Sequence, residues 1–394
     1  MTDDSNPFNS SLIAQGRRFA DREQEVSRIR DAYRTPGSRL IVVGERRMGK
    51  TSALYRAADF ERKRGAFLAI ASFATATDPA DAARQILLGV KGELGRNWRA
   101  ALEGMVGRLQ GGIEIRPSPI PGVPPSLHIT FGLREESRAD LIPATLTAIH
   151  DQLANSKRHL ALALDEFQRI YEWGGEDAEW ALKAEIERHP AISYVLAGSQ
   201  RGLIEAMVSR KGRALWKQAD VLAMGPIAPQ EMAEWIHQEA TRTGASFQLE
   251  ACDAIVAAAG PRTRDIVQLA REAWFEHARR SSELDVAGVQ RRMDSLVQEQ
   301  ATLYSGIWRN RNATEQKILR TLVSQPNIAL TSADALERYR LGPKSTVQGT
   351  IRRLVDSEFL ADTTVDGLAF DDPFFRRWIE TTVLPAIGIS PAEH

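Results

Sequence analysis

Leu40-Ile41-Val42-Val43 running into Gly44-Glu45-Arg46-Arg47-Met48-Gly49-Lys50-Thr51 constrains what this chain folds into more than any other stretch. The β-branched run reads as a strand, and Thr51-Ser52-Ala53-Leu54-Tyr55-Arg56-Ala57-Ala58 reads as a helix. Strand, G-x-x-x-x-G-K-T, then helix is the context a phosphate-binding loop demands. Gly44 and Gly49 let the backbone bend until successive N–H groups face a phosphate chain, at the positive end of the following helix. Glu45, Arg46, Arg47, Met48 and Ser52 complete the cradle. Lys50 reaches the outer phosphates as a point charge, and the Thr51 hydroxyl is placed to ligate Mg²⁺.

A second stretch supplies what such a loop needs. Leu160-Ala161-Leu162-Ala163-Leu164 is continuously apolar, as a parallel strand buried on both faces is, and it ends in Asp165-Glu166. Two carboxylates at that end sit where ligands bind in open α/β sheets. Asp165 would hold Mg²⁺ through its water shell, and Glu166 would polarise the water that attacks a γ-phosphate. Together the two motifs point to a chain that binds a nucleoside triphosphate with Mg²⁺.

The length, 394 residues, allows two or three domains with separate cores. With 51 basic against 51 acidic residues, no global field draws the chain to nucleic acid or membrane, so any DNA contact must come from a local patch. Cys252 is the single cysteine, which excludes an internal disulfide and fits a reducing compartment. The polar, acidic start is unlike a signal peptide, and no apolar run approaches membrane-spanning length. We therefore expect a soluble, cytoplasmic protein.

The remaining motifs fall around the two anchors. Asp21 is the expected N-cap of a helix that buries Val26, Ile29 and Tyr33. Ala66–Ala71 reads as a second strand, Asp78-Pro79 as a helix start, and 175–188 as a further helix. An insertion around 96–135 holds a helix and two alternating runs flanking a proline-rich tip at 117–125, which reads as a hairpin with His128 facing outward. It serves either as a surface embellishment or as a partner contact. Ala191–Ala197 is a fourth strand, ending in Gly198-Ser199-Gln200. Ser199 is the first choice, and Gln200 the second, for a side chain touching the γ-phosphate or the attacking water; a turn with an N-capping serine explains the same residues. Arg213, just before a fifth strand at 220–224, is a candidate to reach a phosphate in cis or across a subunit interface, with a solvated basic helix end as the rival reading.

From Pro229 the strands stop. Helices are expected at about 229–243, 248–259, 261–280 and 285–305. Arg262 and Arg264 stand in the first turn of the third, where positive charge is unfavourable unless it faces an anion, either a phosphate or a nearby carboxylate. The C-terminal stretch then gives three helices, the last at 343–357, and a hairpin signal flanking Thr363–Gly367, the pattern of a winged helix. The third helix buries Val347, Ile351 and Leu354 and shows Lys344, Ser345, Gln348, Arg352 and Arg353 on its other face, as a DNA-binding module would. Asp362, Asp366, Asp371 and Asp372 on the wing would repel a phosphate backbone, so docking of a partner protein and DNA binding both stand.

Taken in order, Asn6-Pro7-Phe8, Phe19 to Glu23, Gly44 to Thr51, Leu164-Asp165-Glu166-Phe167-Gln168, Gly198-Ser199, Gly212-Arg213, Gly260-Pro261 and Asp372-Pro373-Phe374-Phe375-Arg376-Arg377-Trp378 make the chain resemble the archaeal-type ATPase family, in the STAND branch of AAA+-like P-loop NTPases. The resemblance spans nearly the whole length. It implies an α/β fold: a P-loop NTPase core with five parallel strands at 1–227, an all-α lid at 228–306 and a winged-helix domain at 307–394. It also implies ATP and Mg²⁺ as ligands, and an adenine pocket lined by the run from Phe19 to Arg22. The sequence departs from the AAA+ pattern at Ser199-Gln200, where Asn is common, and at Gly260–Arg264, which matches a sensor arginine motif loosely.

The function expected from these parts is Mg²⁺-dependent ATP hydrolysis, with the nucleotide joining Lys50 and Thr51 to Arg262 or Arg264 on the lid and so repositioning a winged helix that acts on DNA or a DNA-associated complex. Homo-oligomer formation is compatible with the Arg213 reading. The rival is a nucleotide-dependent switch or scaffold with little turnover whose winged helix docks a protein. A small-molecule P-loop kinase is disfavoured, because it has little use for a lid followed by a winged helix.

Overall fold

The computed structural model describes residues 6–9, 19–93, 98–116, 126–132, 140–154, 158–215, 217–280, 283–363 and 367–386. The chain divides into two compact units, Leu12–Pro226 in one and Met1–Ser11 with Ile227–His394 in the other. Among the described residues no helix is long and apolar enough to cross a membrane.

The first unit runs α1 (Glu23–Arg34), β1 (Arg39–Val43), α2 (Lys50–Arg62), β2 (Phe67–Ser72), α3 (Pro79–Lys91), α4 (Trp98–Arg108), β3 (Gly112–Arg116), β4 (Ser126–Thr130), α5 (Leu141–Ala154), β5 (Leu160–Asp165), α6 (Arg169–Arg188), β6 (Ile192–Gly198), α7 (Arg201–Ser209) and β7 (Asp220–Ala223). Five of the strands form one sheet in the order β2-β5-β6-β1-β7, with every neighbouring pair parallel. Parallel pairing demands crossovers, and helices on both faces bury the strands, so β5 and β6 are buried at every position.

The period-2 alternation of β1 divides the core. Ile41 and Val43 face a layer with Ile86 and Leu87 of α3, Leu146 of α5 and Leu182 of α6, while Leu40 and Val42 face Ile29 and Tyr33 of α1 and Leu54 of α2. The same register decides function, since Val43 pairs with Gly198 and Asp165 with Ala197. The phosphate loop, the two carboxylates and Ser199 therefore leave the sheet side by side at its carboxyl edge.

Several local expectations are met and some corrected. Asp78 caps α3, its carboxylate accepting from the Asp81 amide. Asp21 does not cap α1; Arg22 flanks that helix in a left-handed conformation (φ 77°) without a side-chain cap, and the polar partners of its guanidinium lie elsewhere. The helix expected over 175–188 follows a kink at the non-helical Gly175 (φ 59°), and a further helical stretch from Arg169 precedes the kink within α6. β3 and β4 pair as the expected hairpin, Glu114 opposite His128, and His128 is exposed. The acidic start at 1–5, the proline-rich tip at 117–125 and the wing turn at 364–366, which holds Asp366, lie outside the described residues.

The second unit runs α8 (Pro229–Arg242), α9 (Leu249–Ala259), α10 (Thr263–Arg280), α11 (Val286–Glu299), α12 (Ala301–Arg309), α13 (Ala313–Ser324), α14 (Ala333–Arg338), α15 (Lys344–Asp356), β8 (Leu360–Thr363), β9 (Gly367–Phe370) and α16 (Pro373–Trp378). The helix expected over 285–305 is two, α11 and α12, parted at Gln300. Asn6-Pro7-Phe8 packs in this unit: Asn6 Nδ2 donates to the Arg271 carbonyl at 3.1 Å, and Phe8, 1% exposed, meets Trp235 edge-on and stacks on Phe247. A capping box between Asn312 and Glu315 starts α13. The Asp372–Trp378 motif has a packing reason. Asp372 caps α16, and Phe375 and Trp378 form an aromatic cluster with Tyr304 of α12. Two ion pairs, Arg262–Asp371 and Arg377–Asp294, tie the helical bundle to the residues around the wing.

Candidate functional site

Gly49 is the N-cap of α2 with φ 89°, a left-handed conformation that a side chain would strain. Gly44 lies so close to the end of β7 that an added Cβ would collide with the Met224 carbonyl oxygen. Between them Met48 is buried and anchors the loop, whereas Arg46 and Arg47 are exposed at its apex; Glu45, Thr51 and Ser52 are half-buried. Lys50 is 5% exposed, and its ammonium donates to the loop's own carbonyls, Gly44 at 2.8 Å and Glu45 at 2.6 Å.

Thr51 Oγ1 donates to Asp165 Oδ2 at 2.6 Å across 114 positions of sequence. That single bond joins the two motifs. Asp165 Oδ1 accepts from the Glu166 amide at 3.1 Å, and Glu166 is held at φ 55°, a left-handed conformation unusual for a residue with a side chain. Its carboxylate is gripped by two neutral donors, Ser199 Oγ at 2.7 Å and Gln168 Nε2 at 2.6 Å, both onto Oε2.

Electrostatics show which ligand suits the site. Burial pulls the Lys50 ammonium below the usual lysine range, against the pull of the Glu166 and Asp165 carboxylates. Burial pushes the Asp165 carboxyl above its ordinary value; the Thr51 hydrogen bond holds it back, and Glu166 adds to the rise. A buried cation on amide-rich backbone and a buried carboxylate beside a hydroxyl each lose charge-favouring solvation, which an anion and a cation respectively restore. The donor set is hard oxygen, from Thr51 and Asp165, the chemistry Mg²⁺ takes when phosphates supply the rest. These residues fit a Mg²⁺–triphosphate group.

Arg22 braces the loop from the side. Its guanidinium is buried, paired with Glu25 at 2.9 Å and donating to the Gly225 carbonyl at 2.7 Å, and its Nε lies 4.0 Å from where a Gly49 Cβ would stand. Phe19 packs against the sheet face that α1 and α2 cover.

The other candidates lie in different settings. Gln200 is exposed and reaches Glu172 at 3.4 Å. Arg213 is buried in the first unit and binds Glu179 through two guanidinium nitrogens, Nε at 3.0 Å and Nη2 closer. Arg262 is buried in the second unit, where Nη2 pairs with Asp371 Oδ1 at 2.7 Å and Nη1 donates to the Asp371 carbonyl; Arg264 is exposed. The carboxylate alternative weighed for Arg262 from its helix-start position thus has a residue attached to it. Lys344, Ser345, Gln348, Arg352 and Arg353 are all exposed on α15, while Val347 and Leu354 are buried and Ile351 is half-buried. Gln168 stands in the Asp165–Gln168 motif as a residue that the motif alone gives no role; its one sequence signal is an amide two residues past the carboxylates, where an apolar residue would suit a buried helix start.

A family model described as "Probable winged helix domain" matches residues 302–381. No curated protein is detectably similar to the chain in sequence. Among solved structures, the Walker-type ATPase PABY2304 of Pyrococcus abyssi is similar over 95% of this chain and 99% of its own, with TM-score 0.61 and 12% identity. The ORC2 protein of Aeropyrum pernix, solved as ADPNP–ADP complexes, is similar over 96% of each chain, with TM-score 0.59 and 15% identity. The ORC1 protein of the same organism, solved in complex with DNA, is similar over 94% of each, with TM-score 0.50 and 15% identity. At these identities the likeness is one of fold. The chain has the fold of a P-loop ATPase, with a five-stranded parallel core and a winged-helix domain toward its C-terminus, as the motifs implied.

Proposed function

We propose that the protein is a Mg²⁺-dependent ATPase of the AAA+-like STAND type whose winged helix engages duplex DNA according to nucleotide state. The observation that carries the reading is the 2.6 Å bond from Thr51 to Asp165, with Lys50 in the adjoining cradle and Glu166 next in sequence. Mg²⁺ held by Thr51 and Asp165 would neutralise charge gathering on the β- and γ-phosphate oxygens. Lys50 exchanges its two loop carbonyls for phosphate oxygens. Glu166 takes a proton from the attacking water as the water oxygen bonds to the γ-phosphorus and the bond to the β–γ bridging oxygen breaks, leaving ADP and phosphate. Ser199 and Gln168 keep the Glu166 carboxylate in place.

DNA is favoured as partner by the exposed face of Lys344, Gln348 and Arg352 on α15, and by the duties of two wing acids. Asp371 is paired with Arg262, so its charge is offset, and the Asp372 carboxylate is directed at the Phe374 and Phe375 amides at the start of α16. ATPase assay with and without duplex DNA tests both halves. Turnover abolished by Glu166→Gln while ATP still binds supports the enzyme. Tight ATP binding without turnover in the wild type leaves the nucleotide switch that docks a partner protein.

A further inference from the structure

Gln168 is 1% exposed, yet only half of its amide is satisfied. Nε2 donates to Glu166 Oε2 at 2.6 Å, while Oε1 is buried without a hydrogen-bond partner. Turning the amide over would set Oε1 against the carboxylate oxygen, which is repulsive, so the orientation is dictated by Glu166. The unpartnered oxygen points at the end of β6, where a Cβ on Gly198 would collide with it. The absence of a side chain at 198 gives the amide its room.

An orphaned acceptor in the interior is unfavourable, and an apolar side chain of similar volume would remove that penalty. Packing therefore does not explain a glutamine here; the hydrogen bond to Glu166 does. It matters because Glu166 is in a left-handed backbone conformation, so its carboxylate is aimed by side-chain partners as well as by its main chain. Ser199 and Gln168 approach Oε2 from two elements, the end of β6 and the start of α6. Two fixed donors define the direction of a flexible carboxylate better than one.

We infer that Gln168 is a positioning residue for the general base: with Ser199 it orients the Glu166 carboxylate toward the attacking water. The inference rests on the ATPase reading and adds a residue and a role to it. Misplacement of a base by about an ångström lowers a rate on the order of a hundredfold, so Gln168→Met is expected to reduce kcat roughly tenfold to a hundredfold. KM for ATP and equilibrium affinity for a non-hydrolysable analogue stay as in the wild type, and Tm is unchanged or higher because the orphaned oxygen is gone.

Gln168→Glu is the second variant. It sets a carboxylate against the Glu166 oxygen that receives the 2.6 Å bond from Gln168 Nε2, replacing a donor by a repelling acceptor at nearly the same volume. The kcat should then fall at least as far as in Gln168→Met, with analogue affinity again as in the wild type. Turnover in Gln168→Met equal to wild type, or a fall in kcat matched by a fall in Tm and in analogue affinity, overturns the inference. Turnover in Gln168→Glu equal to wild type overturns it as well. Wild-type protein with no ATP turnover fells the enzyme reading and this inference with it, whereas normal turnover indifferent to Gln168→Met fells the inference alone.

Discussion

Arg213 offers the sharpest separation between a structural and a catalytic reading. Glu179, its partner on α6, is 0% exposed, and Arg213 is nearly as buried. Burial pushes the Glu179 carboxyl above its usual range, with the Arg213 guanidinium opposing the rise. Arg213→Met keeps the apolar packing beside Tyr171 but leaves the carboxyl without a counter-ion. Removing one side of a buried pair costs about 3–5 kcal/mol. For a unit of this size about 2–4 °C follow each kcal/mol, so Tm of the first unit should fall by roughly 6–20 °C. The sign of the pH dependence is fixed as well. With its folded-state pKa raised further, Glu179 binds a proton that the unfolded chain releases above the ordinary carboxylate range. The deficit is therefore smaller at about pH 5 and larger at about pH 8. Pairing the substitution with Glu179→Met should recover most of the loss. Differential scanning calorimetry of wild type, single and double variants at both pH values is the assay. A single variant within about a degree of wild type, or a double variant no better than the single, refutes the reasoning and returns Arg213 to the arginines able to meet a phosphate.

Thr51→Val removes the hydroxyl that binds Asp165 while keeping volume; Mg²⁺-dependent turnover should fall by about tenfold or more, read as a right-shifted Mg²⁺ titration. Arg352→Ala with Arg353→Ala should weaken duplex binding similarly for all sequences and flatten the slope of log K against log salt by about two, measured by fluorescence anisotropy. His189 hydrogen-bonds the Tyr194 hydroxyl at 2.8 Å; burial, helped by the His150 ring stacked on it, lowers its pKa from the ordinary 6.5 to about 4, while Glu185 and Asp151 oppose and Arg188 assists. The unfolded chain then binds the extra proton between those values, so stability present above pH 6.5 is lost as pH falls toward 4. His189→Gln should show a shallower loss over that window in urea titrations.

Much of this was legible because it is written in local chemistry. Lys50, Thr51 and Asp165 announce themselves through strand–loop–helix order and a strand that ends in acid, and the structure brings them together. The carboxyl edge followed from continuous apolar runs, which only a doubly covered parallel sheet accommodates. Partners separated by tens of residues were not legible. Nothing in Gly212-Arg213 indicates that Glu179 waits 34 positions upstream, nor does Arg262 indicate Asp371. Gln168 escaped for a different reason: its role depends on Gly198 leaving space, and a missing side chain is visible only from across the fold. Asp21 failed as a cap because Arg22 is drawn to Glu25 and Gly225, a contact that sets the backbone before the helix begins.

The floor beneath Gly44 has a consequence for synthesis. Met224 supplies that floor, its amide bonded to the Val43 carbonyl at 2.7 Å, and it is translated 180 residues after Gly44. At about 5–20 residues per second a ribosome needs roughly 10–40 s to cover that distance. Throughout that interval β1 lacks at least one of its neighbours, since β6 and β7 are both encoded downstream. An apolar strand with open edges invites pairing with other chains, so β1 stays exposed to such pairing until its last neighbour has been made.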